Sequence, residues 1–258
     1  RGAVNTIDDI NERFSVGPDD RVLAVSSLSF DLSVYDIFGS LAAGATIVIP
    51  DAAFQRDSRH LSAVLSQWKV TIWNSAPVLM TNLMSHIESS DDACLETLRL
   101  IMLSGDWIPV ELPGRIWSWK RDVEIISLGG ATEASIWSVI YPIEEVDSSQ
   151  PSIPYGKPMR NQRLWVLNEN FAHCPDYVAG EIYIGGTGLA KGYWLDPKKS
   201  HERFVFNQYT GERLYRTGDM GCYLPDGNIR FLGREDNQVK LRGHRVELGE
   251  IESIINQH

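Results

Sequence analysis

The sequence has little cysteine, an acidic charge balance and no long apolar run, and each of these limits what the protein can be. Its three cysteines, Cys94, Cys174 and Cys222, include no CxxC pair, so neither a disulfide framework nor a zinc site is indicated, and reduced thiols in a cytoplasmic protein are expected. No apolar stretch approaches the ~18 residues that a membrane span needs. The net charge of −10 argues against nucleic acid or an anionic membrane as a partner, since both attract basic surfaces.

Strand-like and helix-like segments alternate in the first part of the 258-residue chain. Five short apolar segments are expected to be strands, with amphipathic helices at 57–69 and 77–89. The predicted strands are residues 21–27, 45–49, 71–76, 98–105 and 123–130. This alternation predicts an α/β fold in which parallel-sheet layers are covered by helices, and we assign residues 1–154 to it.

From about Tyr155 the pattern changes to strands broken by glycine, aspartate and asparagine. The tetrapeptide "PDGN" at 225–228 is a strong hairpin signal, and residues 155–235 are expected to form a small antiparallel β-barrel. Residues 236–258 have the pattern of a strand, a turn and the start of an amphipathic helix. They predict a hinge and the beginning of a smaller C-terminal α+β domain.

Polar or glycine-rich segments follow three of the predicted parallel strands. Asp31 lies after the first, within "SFDLSVYDIF" at 29–38. "SGD" at 104–106 follows the fourth, and "LGGATE" at 128–133 ends the fifth. Because ligands bind at the carboxyl ends of the strands in α/β sheets, we expect these segments to share one site. A buried carboxylate without a partner is costly. Asp31 therefore either caps the helix that follows it or pairs with a ligand.

Three further motifs follow in order: "GEIYIGGTGLAKGYW" at 180–194, "YRTGDMG" at 215–221 and "GREDNQVKLRGHRVELGEIE" at 233–252. Together with "FDLSVYDIF" and "GGATEAS", they resemble the adenylation domains of nonribosomal peptide synthetases, which belong to the adenylate-forming superfamily. The resemblance implies that an amino-acid carboxylate attacks the α-phosphate of Mg·ATP and releases pyrophosphate. A phosphopantetheine thiol on a carrier domain then takes the aminoacyl group and releases AMP.

The resemblance also implies roles for single residues. Asp31 corresponds to the partner of the substrate's α-ammonium and Asp219 to the acceptor of the ribose hydroxyls. Glu133 corresponds to a Mg²⁺-associated glutamate, Thr132 to a phosphate-side hydroxyl and Asp236 to the interdomain hinge. A capping pair at Thr132 and Glu133 and an exposed loop aspartate at Asp236 are the simpler alternatives. Further nucleotide contacts are expected from Gly105, Asp106, Trp107, Gly129, Gly130, Ala131, Phe231 and Arg234.

Gly129 departs from the family pattern. In most relatives an aromatic residue that stacks on adenine stands three residues before the threonine of "GATE", and here that position is Gly129. Either neighbours such as Trp107 or Phe231 hold the base, or ATP affinity is reduced. The departure also supports a competing hypothesis, in which a degenerate, non-catalytic domain docks neighbouring modules. That hypothesis is opposed by the presence of four residues that match the family's site, Asp31, Glu133, Asp219 and Arg234.

A set of nine residues corresponds to the family's substrate pocket and is similar to that of cysteine-activating members. Bulky residues in the set leave room only for a small substrate side chain. The mostly apolar wall suits a thiol better than a strongly hydrated hydroxyl. L-Cysteine is therefore the predicted substrate, with serine or another small amino acid as the alternative. The set is Asp31, Leu32, Tyr35, Asn74, Met102, Ser104, Leu128, Ile136 and Trp137.

Two elements of the family fall outside this sequence. The family's phosphate loop is expected before Arg1, and the lysine that bridges substrate carboxylate and ribose is expected beyond His258. We therefore expect the chain to be part of a larger synthetase with carrier and condensation or cyclisation domains, and unable to form adenylate unaided. Some relatives carry an inserted domain just after the position of Glu252, and the same insertion is a hypothesis here.

Overall fold

Seven strands of the first part of the chain form one mixed sheet. The computed structural model describes residues 1–146, 152–234, 238–241, 244–247 and 255. The strands are β1 (Arg21–Leu23), β2 (Thr46–Val48), β3 (Ile72–Ser75), β4 (Leu100–Ser104), β5 (Glu124–Gly129), β6 (Val139–Ile143) and β7 (Lys157–Pro158). Their order is β2-β1-β3-β4-β5-β6-β7, with the first five parallel and the last two antiparallel. All five strands predicted for this part are confirmed, each somewhat shorter than expected.

Helices cover both faces of this sheet. Alternate strand residues point to opposite faces, so Ile101 and Leu103 pack in one cluster while Met102 packs in the other. The first cluster includes residues of α4 (Ser58–Trp68), α5 (Pro77–Ser90) and α6 (Leu112–Trp119). The second includes α1 (Gly2–Arg13), α2 (Leu32–Val34) and the π-helical turn Tyr35–Gly39, which continues into α3 (Ser40–Ala43). The two predicted helices are confirmed as α4 and α5.

The second part of the chain forms an antiparallel sheet of five strands. The strands are β8 (Gln162–Leu167), β9 (Gly180–Gly186), β10 (Phe204–Phe206), β11 (Arg213–Tyr223) and β12 (Ile229–Arg234), and α7 (Pro197–Arg203) precedes β10. They pair in the order β10-β11-β9-β8, with β12 beside β11. The "PDGN" turn joins β11 to β12 as predicted, with Gly227 in the left-handed region. The predicted combination of a helix-covered sheet and an antiparallel β part is confirmed.

A separate hairpin of β13 (Gln238–Leu241) and β14 (His244–Glu247) follows. Asp236 and most of the helix predicted near the end of the chain lie outside the described residues. The division at residues 154 and 235 stays a prediction, and we note that β7 still belongs to the first sheet. Across the described residues, no helix is both long and apolar enough to cross a membrane.

Candidate active site

A cavity of about 830 Å³ lies where the carboxyl ends of the parallel strands face the antiparallel sheet. Segments that follow β1, β3, β4 and β5 line one side, and residues of β11 and β12 line the other. The volume is within the range of small-molecule sites. The polar segments that follow the parallel strands are thus brought together, as the sequence predicts.

Twelve of the predicted site residues line this cavity. Glu133 and three of the predicted nucleotide contacts, Asp106, Trp107 and Phe231, are not among the lining residues that the structure describes. The same holds for four of the nine predicted pocket residues, Tyr35, Asn74, Met102 and Leu128, which are buried in the layer behind the cavity wall. The twelve are Asp31, Leu32, Ser104, Gly105, Gly129, Gly130, Ala131, Thr132, Ile136, Trp137, Asp219 and Arg234.

Asp31 stands at the start of α2, but its side chain is directed across the cavity. Within the described part of the chain it makes no capping hydrogen bond to α2, and Thr132 Oγ1 donates to its Oδ2 at 2.7 Å. Burial raises the pKa of Asp31 and the negative charge of Glu133 adds to this, whereas the hydrogen bond from Thr132 and the backbone amides of Asp31 and Leu32 oppose it. A cationic group in the cavity would stabilise the ionised carboxylate.

The backbone at Ser135 and Ile136 is left-handed, with φ of 67° and 72°. This conformation is unusual for a β-branched residue and tends to occur at functional sites. Two hydrogen bonds hold it: Thr6 Oγ1 donates to the Ser135 carbonyl at 2.9 Å, and Ser135 Oγ donates to the Gly188 carbonyl at 2.7 Å. The turn brings Ile136 and Trp137 to the cavity wall.

Trp137 forms a fixed aromatic wall of the cavity, and the Tyr35 ring packs behind it. Their ring centroids are 5.3 Å apart, and both residues are almost completely buried. Trp137 Nε1 donates to Ser104 Oγ at 3.1 Å, and the Tyr35 hydroxyl donates to Asn11 Oδ1 at 2.9 Å. Because hydrogen bonds anchor both rings, the wall restricts the space for a bound side chain.

Asn74 is held by a buried carboxyl group. Asn74 Nδ2 donates to Asp36 Oδ1 at 2.7 Å, and both residues are fully buried. Burial raises the pKa of Asp36 to about 7, against the hydrogen bonds from Asn74 and Ser26. The sequence analysis did not assign a role to Asp36; the signal available was a second aspartate within the apolar stretch at 29–38.

Glycines allow the backbone itself to form part of the cavity surface. A Cβ atom at Gly130 would lie 2.7 Å from the backbone nitrogen of Ser138, so a side chain is excluded there. Gly105, after β4, has a φ of +87° and a Cβ position close to the ring of Phe30. Peptide groups at both turns can therefore approach a ligand closely.

Asp219 and Arg234 are paired on neighbouring strands of the second sheet. They are register partners between β11 and β12, and the Arg234 guanidinium donates to Asp219 Oδ1 and to the Thr217 carbonyl. The pairing of β11 with β9 is irregular between Arg216 and Met220, and such irregularities re-aim side chains. Both charged side chains are nearly buried and line the cavity.

Glu133 is fixed by Tyr193 from the loop after β9. The Tyr193 hydroxyl donates to Glu133 Oε1 at 2.7 Å, and the Ala190 backbone nitrogen donates to the Glu133 carbonyl at 2.8 Å. Burial raises the pKa of Tyr193, so it remains a donor. The described residues contain no group of three histidine, cysteine, aspartate or glutamate side chains that could hold a metal. A single carboxylate still suits Mg²⁺ that is bound mainly by phosphates.

Several cavity-lining residues were missed by the sequence analysis. Ser26, Ser27 and Ser29 precede Asp31, and Tyr215 and Thr217 precede Asp219. The available signal was their position beside predicted site residues, within "SSLSF" and "YRTGD". A third group lies at the end of β3 and just after it, at residues 75–76 and 78–79. This group could have been predicted from the rule that ligands bind at the carboxyl ends of parallel strands.

The family model described as AMP-binding enzyme matches residues 1–194. Pyochelin synthetase PchF of Pseudomonas aeruginosa is 50% identical over 254 residues, which is 98% of this chain and 14% of that protein. The chain therefore spans only a small part of this curated relative.

Solved structures of a nonribosomal peptide synthetase and of a further adenylation domain are similar in fold. FmoA3 in an AMPPNP-bound form has a TM-score of 0.88 and 45% identity, covering 91% of this chain and 25% of that one. The same protein is known with alpha-methyl-L-serine-AMP bound. The Vibrio cholerae adenylation domain AlmE, in complex with glycyl-adenosine-5'-phosphate, has a TM-score of 0.88 and 30% identity, covering 99% of this chain and 48% of that one.

Proposed function

The chain belongs to the AMP-binding enzyme family, and on that premise we propose that it is the amino-acid-activating part of a nonribosomal peptide synthetase. In the proposed reaction, the carboxylate of an amino acid attacks the α-phosphorus of ATP and pyrophosphate leaves. The aminoacyl-AMP then gives its acyl group to the phosphopantetheine thiol of a carrier domain, with AMP as the leaving group. Neighbouring condensation or cyclisation domains are the further partners proposed.

The position of Asp31 is the observation that carries this proposal. Its carboxylate lies at the cavity and accepts a hydrogen bond from the neutral hydroxyl of Thr132. Partial burial raises its pKa, which is the expected effect of desolvation. An α-ammonium group would compensate that cost, whereas an aryl or fatty acid without an amine would not. This favours an amino acid over other carboxylic acids.

The nucleotide is proposed to bind beside the second sheet. Asp219 would accept the ribose hydroxyls, next to Arg234, and the backbone of the Gly129–Ala131 turn would approach the phosphates. Glu133 would provide one carboxylate ligand for Mg²⁺, which when bound screens phosphate charge. The similar fold of FmoA3, which has an AMPPNP-bound form, supports nucleotide binding by this fold.

L-Cysteine is the proposed amino acid. Trp137 is a bulky part of the cavity wall and is backed by the Tyr35 ring, which favours a small side chain, and the neighbouring buried residues are mostly apolar. A thiol behaves as a small apolar group with a weak donor. Two of the similar structures contain adenylates of small amino acids, alpha-methyl-L-serine and glycine. Serine is therefore the closest alternative.

Exchange of labelled pyrophosphate into ATP tests the proposal. The full-length protein that contains this chain is assayed with each amino acid of a panel, and we expect L-cysteine to support the fastest exchange. Fastest exchange with serine would overturn the substrate but retain the reaction. ATP binding without exchange for any amino acid would overturn the reaction and favour the degenerate docking domain.

A further inference from the structure

Tyr155 occupies the space that a side chain at position 129 would need. A Cβ atom built on Gly129 would lie 2.0 Å from Cε2 and 2.7 Å from Cζ of Tyr155, and 2.8 Å from Cγ1 of Val139. Gly129 is not among the glycines with positive φ. Its backbone conformation therefore permits a side chain, and it is the neighbouring tyrosine ring and valine methyl that exclude one.

Tyr155 contacts both sheets beside the cavity: it is half-buried and adjoins the lining residue Gly129, although it is not itself among the lining residues that the structure describes. Its backbone nitrogen donates to the Ile229 carbonyl of β12 at 2.8 Å. Burial raises the pKa of Tyr155, the negative charge of Asp219 adds to this, and a hydrogen bond with the Gly130 backbone opposes it. The phenol therefore stays neutral. Its ring lies against Gly129 of the first sheet, and its hydroxyl is close enough to the second sheet for the charge of Asp219 to raise its pKa.

Two more rings continue from Tyr155. The centroid of Phe231 is 5.9 Å from that of Tyr155, and the centroid of Trp107 is 4.9 Å from that of Phe231. Tyr155 is the ring of this row that lies near the charged pair, because the charges of both Asp219 and Arg234 act on its phenol. A heteroaromatic base whose ribose reaches Asp219 would therefore lie beside Tyr155, while Phe231 and Trp107 support that ring from behind the cavity surface. Base–aromatic stacking is a substantial and sequence-tolerant source of affinity.

We propose that Tyr155 supplies the aromatic surface on which the nucleotide base of ATP packs, taking the place of a side chain at position 129. This inference rests on the proposed function, since it assigns one more residue to the nucleotide part of that site. It also resolves the departure noted in the sequence. Gly129 and Tyr155 form a complementary pair, so a glycine at position 129 does not imply weak ATP binding.

Equilibrium binding of ATP and of inorganic tripolyphosphate to the full-length protein tests the proposal. Tripolyphosphate has no base, so only ATP affinity should depend on Tyr155. We expect Tyr155→Ala to weaken ATP binding about fivefold to a hundredfold, the range of one lost stacking contact. Tripolyphosphate binding should be unchanged, and Tyr155→Phe, which keeps the ring, should bind ATP like the wild type.

Two comparisons complete the test. Tyr209→Ala removes an exposed tyrosine of the second part of the chain and should leave ATP affinity unchanged. A triple variant moves the aromatic ring from position 155 to position 129. It combines Tyr155→Ala and Gly129→Phe with Val139→Ala, which removes the valine methyl that would clash with a side chain at position 129. We expect this variant to recover ATP affinity. If Tyr155→Ala does not fold, Tyr155→Leu takes its place. We expect it to weaken ATP binding by the same factor and to leave tripolyphosphate binding unchanged.

The outcomes separate this inference from the proposed function. Wild-type affinity for ATP in Tyr155→Ala, or equal losses for ATP and tripolyphosphate, would overturn the role of Tyr155 and leave the proposed function standing. If the triple variant does not recover ATP affinity, the inference that side chains at positions 129 and 155 occupy the same space beside the base is wrong. Absence of ATP binding in the wild type would overturn both.

Discussion

The hydroxyl of Thr132 donates a hydrogen bond of 2.7 Å to Oδ2 of Asp31, across a separation of 101 residues in the sequence. This contact joins the segment after β1 to the segment after β5 at the cavity. It holds the Asp31 carboxylate at the cavity. The pair thus connects the proposed amino-acid site with the turn proposed to approach the phosphates.

Replacing Asp31 should abolish amino-acid activation without affecting ATP binding. Asp31→Asn keeps the shape of the side chain but removes the charge that would pair with the ammonium group. Loss of one partner of a desolvated ion pair costs about 3–5 kcal/mol, so we expect at least a hundredfold loss of amino-acid-dependent pyrophosphate exchange. ATP affinity, measured by calorimetry, should change little.

Asp122→Asn is the matched control for this variant, because Asp122 is exposed and pairs only at the surface with Lys120. It should keep wild-type exchange. Exchange by Asp31→Asn at a rate within a few fold of the wild type would contradict the assignment of Asp31.

The stability of the protein should depend on the ionisation of Asp36. Its pKa is about 7 in the folded protein, well above the ordinary value. Between about pH 4 and pH 7 the folded state therefore holds a proton that the unfolded state has lost, and this contribution to stability falls by about 1.4 kcal/mol per pH unit as pH rises. Above about pH 7 both states are ionised and the contribution is constant.

Asp36→Asn should remove this dependence while still accepting the hydrogen bond from Asn74. Denaturant unfolding from pH 5 to pH 8 would show the variant gaining stability relative to the wild type as pH rises. A stability difference that is the same at every pH would contradict the raised pKa.

The regular elements could be predicted because their signals are local. Strand β3 and helix α5 follow each other in the sequence with a clear change from a short apolar run to an amphipathic pattern opened by Pro77. The order of strands and the meeting of their carboxyl ends then follow from general rules of α/β folds. For this reason the cavity and twelve of its predicted lining residues could be found from sequence.

The remaining features depend on contacts between distant segments. The left-handed Ser135–Ile136 turn contains no glycine and is held by Thr6 and Gly188, so nothing local predicts it. The π-helical turn at Tyr35–Gly39 was also not predicted, although its contact is local. A Cβ atom at Gly39 would lie 2.7 Å from the Tyr35 ring, so the turn requires glycine there. The burial of Tyr35, Asn74, Met102 and Leu128 behind the wall also follows from packing, which residue type alone does not determine.

Removing the Asp219 carboxylate should weaken nucleotide binding selectively. Asp219→Asn loses an ionised acceptor for the ribose hydroxyls, so we expect about tenfold or greater loss of ATP affinity and little change for inorganic tripolyphosphate. The variant also leaves Arg234 nearly buried without its charged partner, so its melting temperature should fall. Equal losses for both ligands would show that the effect is structural.

Glu12→Gln is the control for the Asp219 variant, because it disrupts an exposed ion pair with Arg160. Such pairs contribute little to stability. This variant should match the wild type in ATP affinity and nearly match it in melting temperature.

Shortening Trp137 should change which amino acids are accepted. Trp137→Ala removes most of the aromatic wall and should favour larger side chains such as leucine over cysteine in the exchange assay. Because Trp137 is 1% exposed, the variant should also lose about 3–5 kcal/mol of stability. Trp137→Phe keeps most of the volume and loses the hydrogen bond to Ser104, so its preference for small side chains should persist. An unchanged preference in Trp137→Ala would place Trp137 outside the specificity wall.

We propose that the cavity recognises an amino acid through its ammonium group. The most direct measurement compares pyrophosphate exchange by the full-length protein with L-cysteine and with 3-mercaptopropionate, which has the same thiol and carboxylate but no amine. Our account predicts rapid exchange with L-cysteine and almost none with 3-mercaptopropionate. Equal exchange with both compounds would contradict it.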